Sequence, residues 1–161
     1  MAMTKILIFG NSGSGKSTLA KRLARENNLT HLDLDTLAWL PVIPPERAPI
    51  SDSIEKIEQF IELHNNWVIE GGYADLMELV ASDASEIIFL NPGVDQCIAN
   101  AKNRPWEPHK YPSKAAQDEN LNMLLNWIVQ YTERDDVFSY QSHMRFYQDF
   151  NGKKHIYTSN N

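Results

Sequence analysis

A glycine-rich segment near the N-terminus carries the residues best suited to chemistry. It reads GNSGSGKST from Gly10 to Thr18 and fits the pattern G-x-x-x-x-G-K-S, with Gly15, Lys16 and Ser17 at the closing positions. Glycines let the backbone curl so that several N–H groups converge on phosphate oxygens. The pattern therefore predicts a nucleoside-triphosphate site in which the Lys16 ammonium meets the outer phosphates.

The context of this loop supports the same interpretation. The apolar run KILIFG precedes it, and a helix predicted from Lys16 adds its positive N-terminal end. The Ser17 hydroxyl can bind Mg²⁺, and Thr18 lies in the first helical turn near the inner phosphates. The alternative is a chance Gly/Ser turn, which about one random chain in two hundred of this length would contain. The remaining residues predicted to line the phosphates are Asn11, Ser12, Gly13 and Ser14.

Three acidic residues follow predicted strands and could act beside the phosphates. Asp33 and Asp35 lie at the end of the second strand, and Glu70 closes the third. Ligands of open α/β sheets bind at the carboxyl ends of the strands. Asp33 is the candidate that takes or orients the proton of an attacking hydroxyl, Asp35 is a candidate substrate ligand, and Glu70 is a candidate Mg²⁺ ligand. The alternatives are helix caps for the two aspartates and an ordinary strand-end acid for Glu70.

Further candidates surround these acids. Gly71 and Gly72 leave room for a ligand close to the backbone, and Trp39 and Tyr73 could form a wall against a substrate. Aromatic residues beside strand ends are as often part of the core. These residues are therefore predicted to contact substrate, with a packing role as the alternative for the aromatic pair.

The proline-bearing segment RPWEPHKYPS, at about 104–113, is a candidate lid. Arg104 at its start could close over the transferring phosphoryl group as a catalytic cation. The alternative is a cation favoured by the dipole of a helix C-terminus. Arg134 is a second candidate for this role, although the adjacent aspartates offer it ordinary surface pairs. A loop histidine such as His109 in the lid is more often a surface residue without a catalytic role than a catalyst.

Short β-rich runs alternate with helical ones, which predicts an α/β protein with a parallel sheet covered by helices. Asp52 and Glu55 are placed like a capping pair. The proline-bearing segments 39–50 and 104–113 are predicted to be loops over the strand ends. The predicted strands are 5–10, 30–34, 67–71, 86–91 and 154–159. The predicted helices are 16–27, 52–64, 73–81, 94–103, a long one after Pro112–Ser113, and one that follows Asp135–Asp136, carries Val137 and stops at Asn151–Gly152.

Composition narrows the class of protein. A chain of 161 residues with ordinary apolar content predicts one domain. A net charge of −6 argues against a nucleic-acid partner, and no apolar run reaches the ~20 residues that span a membrane. A single cysteine, Cys97, is predicted to be inert core and suits a reducing compartment. We expect a cytoplasmic protein, and the oligomeric state stays open.

The segments HLDLDTLAW and WVIEGGY, together with the phosphate loop, resemble the small bacterial P-loop kinases related to adenylate and shikimate kinases. Some of these are called topology-modulation proteins, and the resemblance is strongest over 4–40 and 66–91. It implies a P-loop NTPase fold of three α/β/α layers with a five-stranded parallel sheet of order 2-3-1-4-5. It also implies a single domain over 1–161, with a substrate-covering segment at about 36–65 and a lid at about 104–113. By this resemblance Asp33 is the substrate-side acid and Glu70 the metal-side acid.

The departures from this group bear on the substrate. Adenylate kinases follow the third-strand acid with an arginine, whereas this chain reads EGGYADL, and the substrate-covering segment has only Arg47. The expected activity is therefore Mg²⁺-assisted transfer from ATP to a hydroxyl of a small molecule or nucleoside. The alternatives are a nucleoside monophosphate kinase and a regulatory ATPase or nucleotide-binding protein without an acceptor. The C-terminal TSNN is expected to form the wall beside the nucleotide base.

Overall fold

The computed structural model describes residues 3–42 and 44–160. Its strands are β1 Lys5–Gly10, β2 Thr30–Asp33, β3 Trp39–Leu40, β4 Glu46–Arg47, β5 Trp67–Glu70, β6 Glu86–Leu90 and β7 Lys153–Tyr157. Its α-helices are α1 Lys16–Asn27, α2 Ile50–Leu63, α3 Ala74–Val80, α4 Val94–Lys102, α5 Lys114–Glu119, α6 Leu121–Val129 and α7 Tyr140–Asp149. Short 3₁₀ turns span Leu34–Thr36, Ala81–Asp83 and Gln130–Thr132.

Five strands form a parallel sheet in the order β2-β5-β1-β6-β7. When only the strands of this sheet are counted along the chain, the order is 2-3-1-4-5, so the predicted α/β fold and strand order are confirmed. The register pairs Asp33 with Glu70 across β2 and β5, and Ile8 with Glu70 across β1 and β5. The carboxyl ends of these three strands therefore bring both acids beside the loop that follows Gly10.

The sheet is buried on both faces because apolar side chains point alternately to either side of each strand. Leu7 and Phe9 of β1 pack on one face with residues of α3 and α7, and Phe9 stacks on Phe89 with 5.1 Å between ring centroids. Ile6 and Ile8 pack on the opposite face against α1. Helices on both faces hold β1 in the middle of the molecule, and this fixes the start of the phosphate loop.

A third apolar cluster joins α4 to α6 through Cys97, Ala101 and Ile128. Cys97 is a free, buried thiol whose burial raises its pKa to about 11, as expected for an inert core cysteine. None of the helices within the described residues combines the length and the apolar character that a membrane crossing requires.

The segment predicted as a proline-bearing loop at 39–50 is partly a hairpin. Strands β3 and β4 pair antiparallel, with Trp39 opposite Arg47, and the Ala48 N–H donates to the Ala38 carbonyl at 2.8 Å. Pro41 and Pro44 lie between the two strands, where their missing N–H groups cost no ladder bond. The loop prediction was therefore wrong for the residues on either side of these prolines.

Three helix predictions also need correction. Helix α2 begins at Ile50 after Pro49, whose carbonyl accepts the first backbone bonds, so Asp52 lies inside the first turn and does not cap it. The long helix predicted after Ser113 breaks at Asn120 into α5 and α6. Helix α7 starts after its cap Ser139, which leaves Val137 outside it, and ends at Asp149.

A buried histidine ties α7 to the end of β5. The His143 side chain is fully buried, and its Nε2–H donates to the Gly72 carbonyl at 2.7 Å. Its Nδ1 atom then accepts the Tyr131 hydroxyl at 2.6 Å. Burial is the main reason that the pKa of His143 falls to about 4. The imidazole is therefore neutral and uses both nitrogens to hold the backbone beside the sheet edge.

This arrangement predicts a specific loss of stability in acid. The unfolded chain binds a proton at His143 near pH 6.5, whereas the folded chain does so only near pH 4, so stability falls as the pH falls between these values. The shift corresponds to about 3 kcal/mol. We expect His143→Gln to lose much of this pH dependence when urea unfolding is measured from pH 4 to 7.5. Equal pH slopes for the variant and the original protein would contradict the assignment.

Candidate active site

The loop between β1 and α1 has a backbone that only glycine accommodates at its tightest points. Gly13 has φ +77° and Gly15 has φ +96°, both in the left-handed region. A Cβ atom on Gly13 would lie 2.4 Å from the carbonyl oxygen of Cys97 in α4. The loop therefore packs directly on the backbone of α4, and its curvature depends on the glycines of the sequence pattern.

Polar groups inside the loop are poised for an anion. The Lys16 ammonium donates to the Asn11 carbonyl at 2.8 Å, and burial lowers the pKa of Lys16 against the attraction of Glu70 and Asp35. The buried Asn11 amide donates to the Ile128 carbonyl at 3.2 Å. The Ser14 hydroxyl is buried and has no hydrogen-bond partner among the described residues. Ser12 is half-buried and Thr18 is exposed. The loop fits a phosphate group by its curvature, its cation and this unpaired hydroxyl.

Glu70 is the buried acid of the site. Its Oε2 atom accepts the Ser17 hydroxyl at 2.6 Å and lies 2.9 Å from Nε2 of His31. The fold thus brings together the two predicted Mg²⁺ ligands, which are both oxygen donors, as this metal prefers. His31 was missed from the sequence, although it precedes Asp33 by two residues and so shares its side of β2. Among the described residues, no three His, Cys, Asp or Glu side chains form a larger metal-binding group.

Asp33 has two different environments at its two oxygens. Oδ1 accepts the Asp35 N–H at 2.9 Å and so caps the 3₁₀ turn, which is the structural alternative considered for this residue. Oδ2 faces the predicted lid, 3.5 Å from the Lys110 ammonium and 3.8 Å from Nε2 of His109. Capping therefore uses one oxygen, and the other faces the lid.

Asp35 belongs to a chain of polar contacts and caps no helix. Its Oδ1 accepts the Tyr73 hydroxyl, and its Oδ2 lies 3.0 Å from the Lys110 ammonium. The Tyr73 hydroxyl in turn accepts the Trp39 indole N–H at 2.8 Å. Trp39 is 41% exposed and stacks on Phe138, whereas Tyr73 is buried. Of the predicted aromatic wall, Trp39 presents a surface to solvent and Tyr73 orients an acid.

The pKa values of the two aspartates are shifted in opposite directions. Burial raises the pKa of Asp33, and the Glu70 and Asp35 carboxylates raise it further against the attraction of Lys110. Burial also opposes ionisation of Asp35, but the Lys110 ammonium and the Tyr73 hydroxyl outweigh it and bring the pKa of Asp35 below its usual value. The two carboxyl groups therefore have pKa values shifted in opposite directions, raised for Asp33 and lowered for Asp35.

The predicted lid contacts these acids through its charged residues. Lys110 lies 3.5 Å from Glu107, and Arg104 pairs with Glu107 at 3.2 Å. Lys110 was not singled out from the sequence, where it stands as one cation among several in the segment. Its position over Asp33 and Asp35 depends on the path of the lid, which the local pattern does not specify.

The remaining candidates have packing roles in the structure. A Cβ atom on Gly71 would lie 2.9 Å from the Tyr73 ring, and one on Gly72 would lie 3.3 Å from the Gly10 carbonyl oxygen. The Arg134 guanidinium lies 3.6 Å from the centroid of the Trp127 ring and donates to the Trp127 carbonyl at 2.6 Å. Arg134 is therefore held by contacts around Trp127, whereas Arg104 is paired with Glu107 within the predicted lid.

Comparisons with known proteins agree with this geometry. A family model described as AAA domain matches residues 6–117. No curated protein matches the chain. A shikimate kinase from Bacteroides thetaiotaomicron is similar over 98% of this chain and 88% of its own, with 17% identity and a TM-score of 0.57. A shikimate kinase from Acinetobacter baumannii, solved in complex with shikimate, is similar over 99% of this chain and 86% of its own, with 16% identity and a TM-score of 0.59. At these identities the likeness shows a shared fold.

The charges around Asp33 predict how its titration responds to the lid. Lys110→Met removes a cation that favours the ionised carboxylate, so we expect the pKa of Asp33 to rise further above its ordinary 3.8. Lys110→Arg keeps the charge and should leave the titration close to that of the original protein. The pKa can be measured from the ¹³C resonance of the side-chain carboxyl as a function of pH. An unchanged or lowered pKa in Lys110→Met would show that the lid does not lie over Asp33 in solution.

Proposed function

This chain belongs to the AAA domain family of P-loop proteins, and on that basis we propose that it transfers the γ-phosphoryl group of ATP to a hydroxyl of a small molecule or nucleoside. Its fold is that of the small P-loop kinases related to adenylate and shikimate kinases. The observation that carries the proposal is the pairing of Asp33 with Glu70 across β2 and β5. An acceptor-side acid and a metal-side acid then face the same phosphate loop.

The residues present fit both ATP and Mg²⁺. The backbone N–H groups of the loop, the Lys16 ammonium and the start of α1 suit the phosphates. Ser17 and Glu70 would hold Mg²⁺, which typically takes one or two protein ligands together with phosphates and water. The bound metal would neutralise charge that develops on the β- and γ-phosphates. Because Ser17 and Glu70 already touch at 2.6 Å, little rearrangement is needed to present both oxygens to one ion.

Asp33 is the residue proposed to act on the acceptor. Its Oδ2 takes the proton from the acceptor hydroxyl as the hydroxyl oxygen bonds to the γ-phosphorus. The bond between that phosphorus and the β,γ-bridging oxygen breaks, and ADP leaves with the electron pair. A raised pKa brings the carboxylate closer to the basicity that proton transfer at neutral pH requires. The cap bond to Oδ1 fixes the direction of the carboxyl group.

The cations on the acceptor side favour an acceptor of low charge. Arg47, the arginine of the substrate-covering segment, pairs with Asp75 at 3.2 Å and lies over the Tyr73 ring. Lys110 is surrounded by carboxylates of Asp33, Asp35 and Glu107. A nucleoside monophosphate kinase needs cations free to grip a second phosphate, so these contacts favour the hydroxyl acceptor over that alternative. The proposed acceptor contacts are Asp35 and Trp39, with Tyr73 orienting Asp35 from behind, and Arg104 would approach the transferring group.

Asp33→Asn tests the proposed reaction. It keeps the Oδ1 cap and the size of the side chain but removes the base, so we expect acceptor-dependent ADP formation to fall by at least about a hundredfold. ATP affinity, measured by calorimetry, should stay within a few-fold of the original value. Asp95→Asn, at an exposed position in the first turn of α4, is the matched control and should change neither quantity.

Two results would contradict this role. Loss of ATP binding in Asp33→Asn would assign the residue to the metal and phosphate site. Unchanged transfer together with unchanged binding would reduce Asp33 to a helix cap, and the kinase proposal would lose its acceptor-side acid. An ADP release that needs no acceptor would favour the regulatory ATPase.

A further inference from the structure

We propose that Asn100 and Asn160 are positioning residues that hold the phosphate loop in its ligand-binding shape from outside. Asn100 lies in α4, and Asn160 lies in the tail that follows β7. This inference rests on the proposed ATP site, because the loop that the two residues contact is the one expected to hold the phosphates. It concerns the backbone of the loop and involves no contact of either asparagine with a substrate.

The two side chains form a continuous chain of amide hydrogen bonds, called here the amide bracket. Asn160 donates from Nδ2 to the Ser14 carbonyl at 2.8 Å. Asn100 donates from Nδ2 to the Gly13 carbonyl at 2.8 Å and to Oδ1 of Asn160 at 2.9 Å. Gln96 donates to Oδ1 of Asn100 at 2.8 Å. Two consecutive carbonyl groups of the loop are thus held by side chains from two separate parts of the fold.

A hydrogen bond that fixes a backbone carbonyl also fixes the direction of the N–H group in the same peptide unit. The peptide unit is planar and trans, so its C=O and the following N–H point in opposite directions. The bond from Asn160 turns the Ser14 carbonyl toward the tail and directs the Gly15 N–H to the opposite side of the loop. The bond from Asn100 fixes the preceding peptide unit, in which the Gly13 carbonyl accepts and the Ser14 N–H closes the turn onto the Asn11 carbonyl at 3.1 Å. The bracket therefore holds the turn closed at Ser14 and directs the Gly15 N–H as a donor that an anion nest can use.

The loop needs such support because of its composition. Glycine loses more backbone freedom on ordering than any other residue, and the loop contains Gly10, Gly13 and Gly15. Ordering the loop before the ligand arrives reduces the entropic cost of binding. The tail reaches the loop closely enough to do this, since a Cβ atom on Gly15 would lie 2.9 Å from Nδ2 of Asn160.

The amide bracket differs from the base-side wall expected for TSNN. Asn161 lies outside the described residues, and the contacts of Asn160 are with the loop carbonyl and Asn100. A bracket acts on the phosphates of any ligand, whereas a wall acts on the base. The two roles can therefore be separated by a ligand that has phosphates but no base.

Asn160→Ala should weaken binding of both ATP and inorganic tripolyphosphate by about five- to tenfold. This is the loss expected when one hydrogen bond that orders the phosphate loop is removed. Both dissociation constants can be measured by calorimetry on the full chain. Asn100→Ala should do the same and serves as a second variant if Asn160→Ala fails to fold. Asn126→Ala, at an exposed position of α6, is the matched control and should bind both ligands like the original protein. The ¹H–¹⁵N resonance of Gly15 should shift in the ligand-free bracket variants and stay in place in the control.

Each other outcome has a defined meaning. If both bracket variants bind tripolyphosphate as tightly as the original protein, the bracket is wrong, and a loss confined to ATP would assign Asn160 to the base side. If the losses are accompanied by a lower melting temperature and no Gly15 shift, the asparagines serve the general fold and the bracket is again wrong. If the original protein binds neither ligand, the proposed ATP site itself is overturned. The first two results leave that site intact.

Discussion

The buried carboxylate of Glu70 is the constraint on which the site depends. Its side chain is only 3% exposed, and a carboxylate in that position is costly unless it is paired and hydrogen-bonded. The pairing comes from Ser17 at the start of α1 and His31 in β2, so one oxygen joins three elements. The parallel register then sets Asp33 beside Glu70. The start of α1, the candidate metal ligands and Asp33 therefore lie together around this carboxylate.

The lid and the phosphate loop are held by different kinds of contact. The lid meets the acids of the site through a charged side chain, with the Lys110 ammonium 3.5 Å from Asp33 and 3.0 Å from Asp35. The side chains of Asp33 and Lys110 are only 10% and 20% exposed, so solvent and salt screen their contact less than that of a surface ion pair. The loop, in contrast, packs on the backbone of α4 at Gly13. The lid therefore depends on charged side chains and the loop on backbone packing.

The features that the sequence predicted well are local or periodic. Gly10, Gly15, Lys16 and Ser17 form one short pattern, and the apolar alternation of the central strands indicates the parallel sheet and hence the edge where Asp33 and Glu70 meet. The contacts of His31 and Lys110 could not be predicted in the same way, because they depend on strand register and on the path of a loop. For Asp33 the sequence predicted either a helix cap or an acid that acts on a hydroxyl; in the structure Oδ1 caps the 3₁₀ turn and Oδ2 faces Lys110. The hairpin that pairs Trp39 with Arg47 was not predicted, because the prolines between its two strands indicated a loop.

The proposed activity of this chain is transfer of the γ-phosphoryl group of ATP to an acceptor hydroxyl. The most direct measurement is ADP formation by the purified protein with ATP and Mg²⁺, in the absence and presence of nucleosides, polyols and cyclic hydroxy acids. We expect slow ADP formation without an acceptor and a large increase with at least one of these acceptors, accompanied by a phosphorylated product in equal amount. Rapid ADP formation that no acceptor increases, with inorganic phosphate as the product, would contradict it.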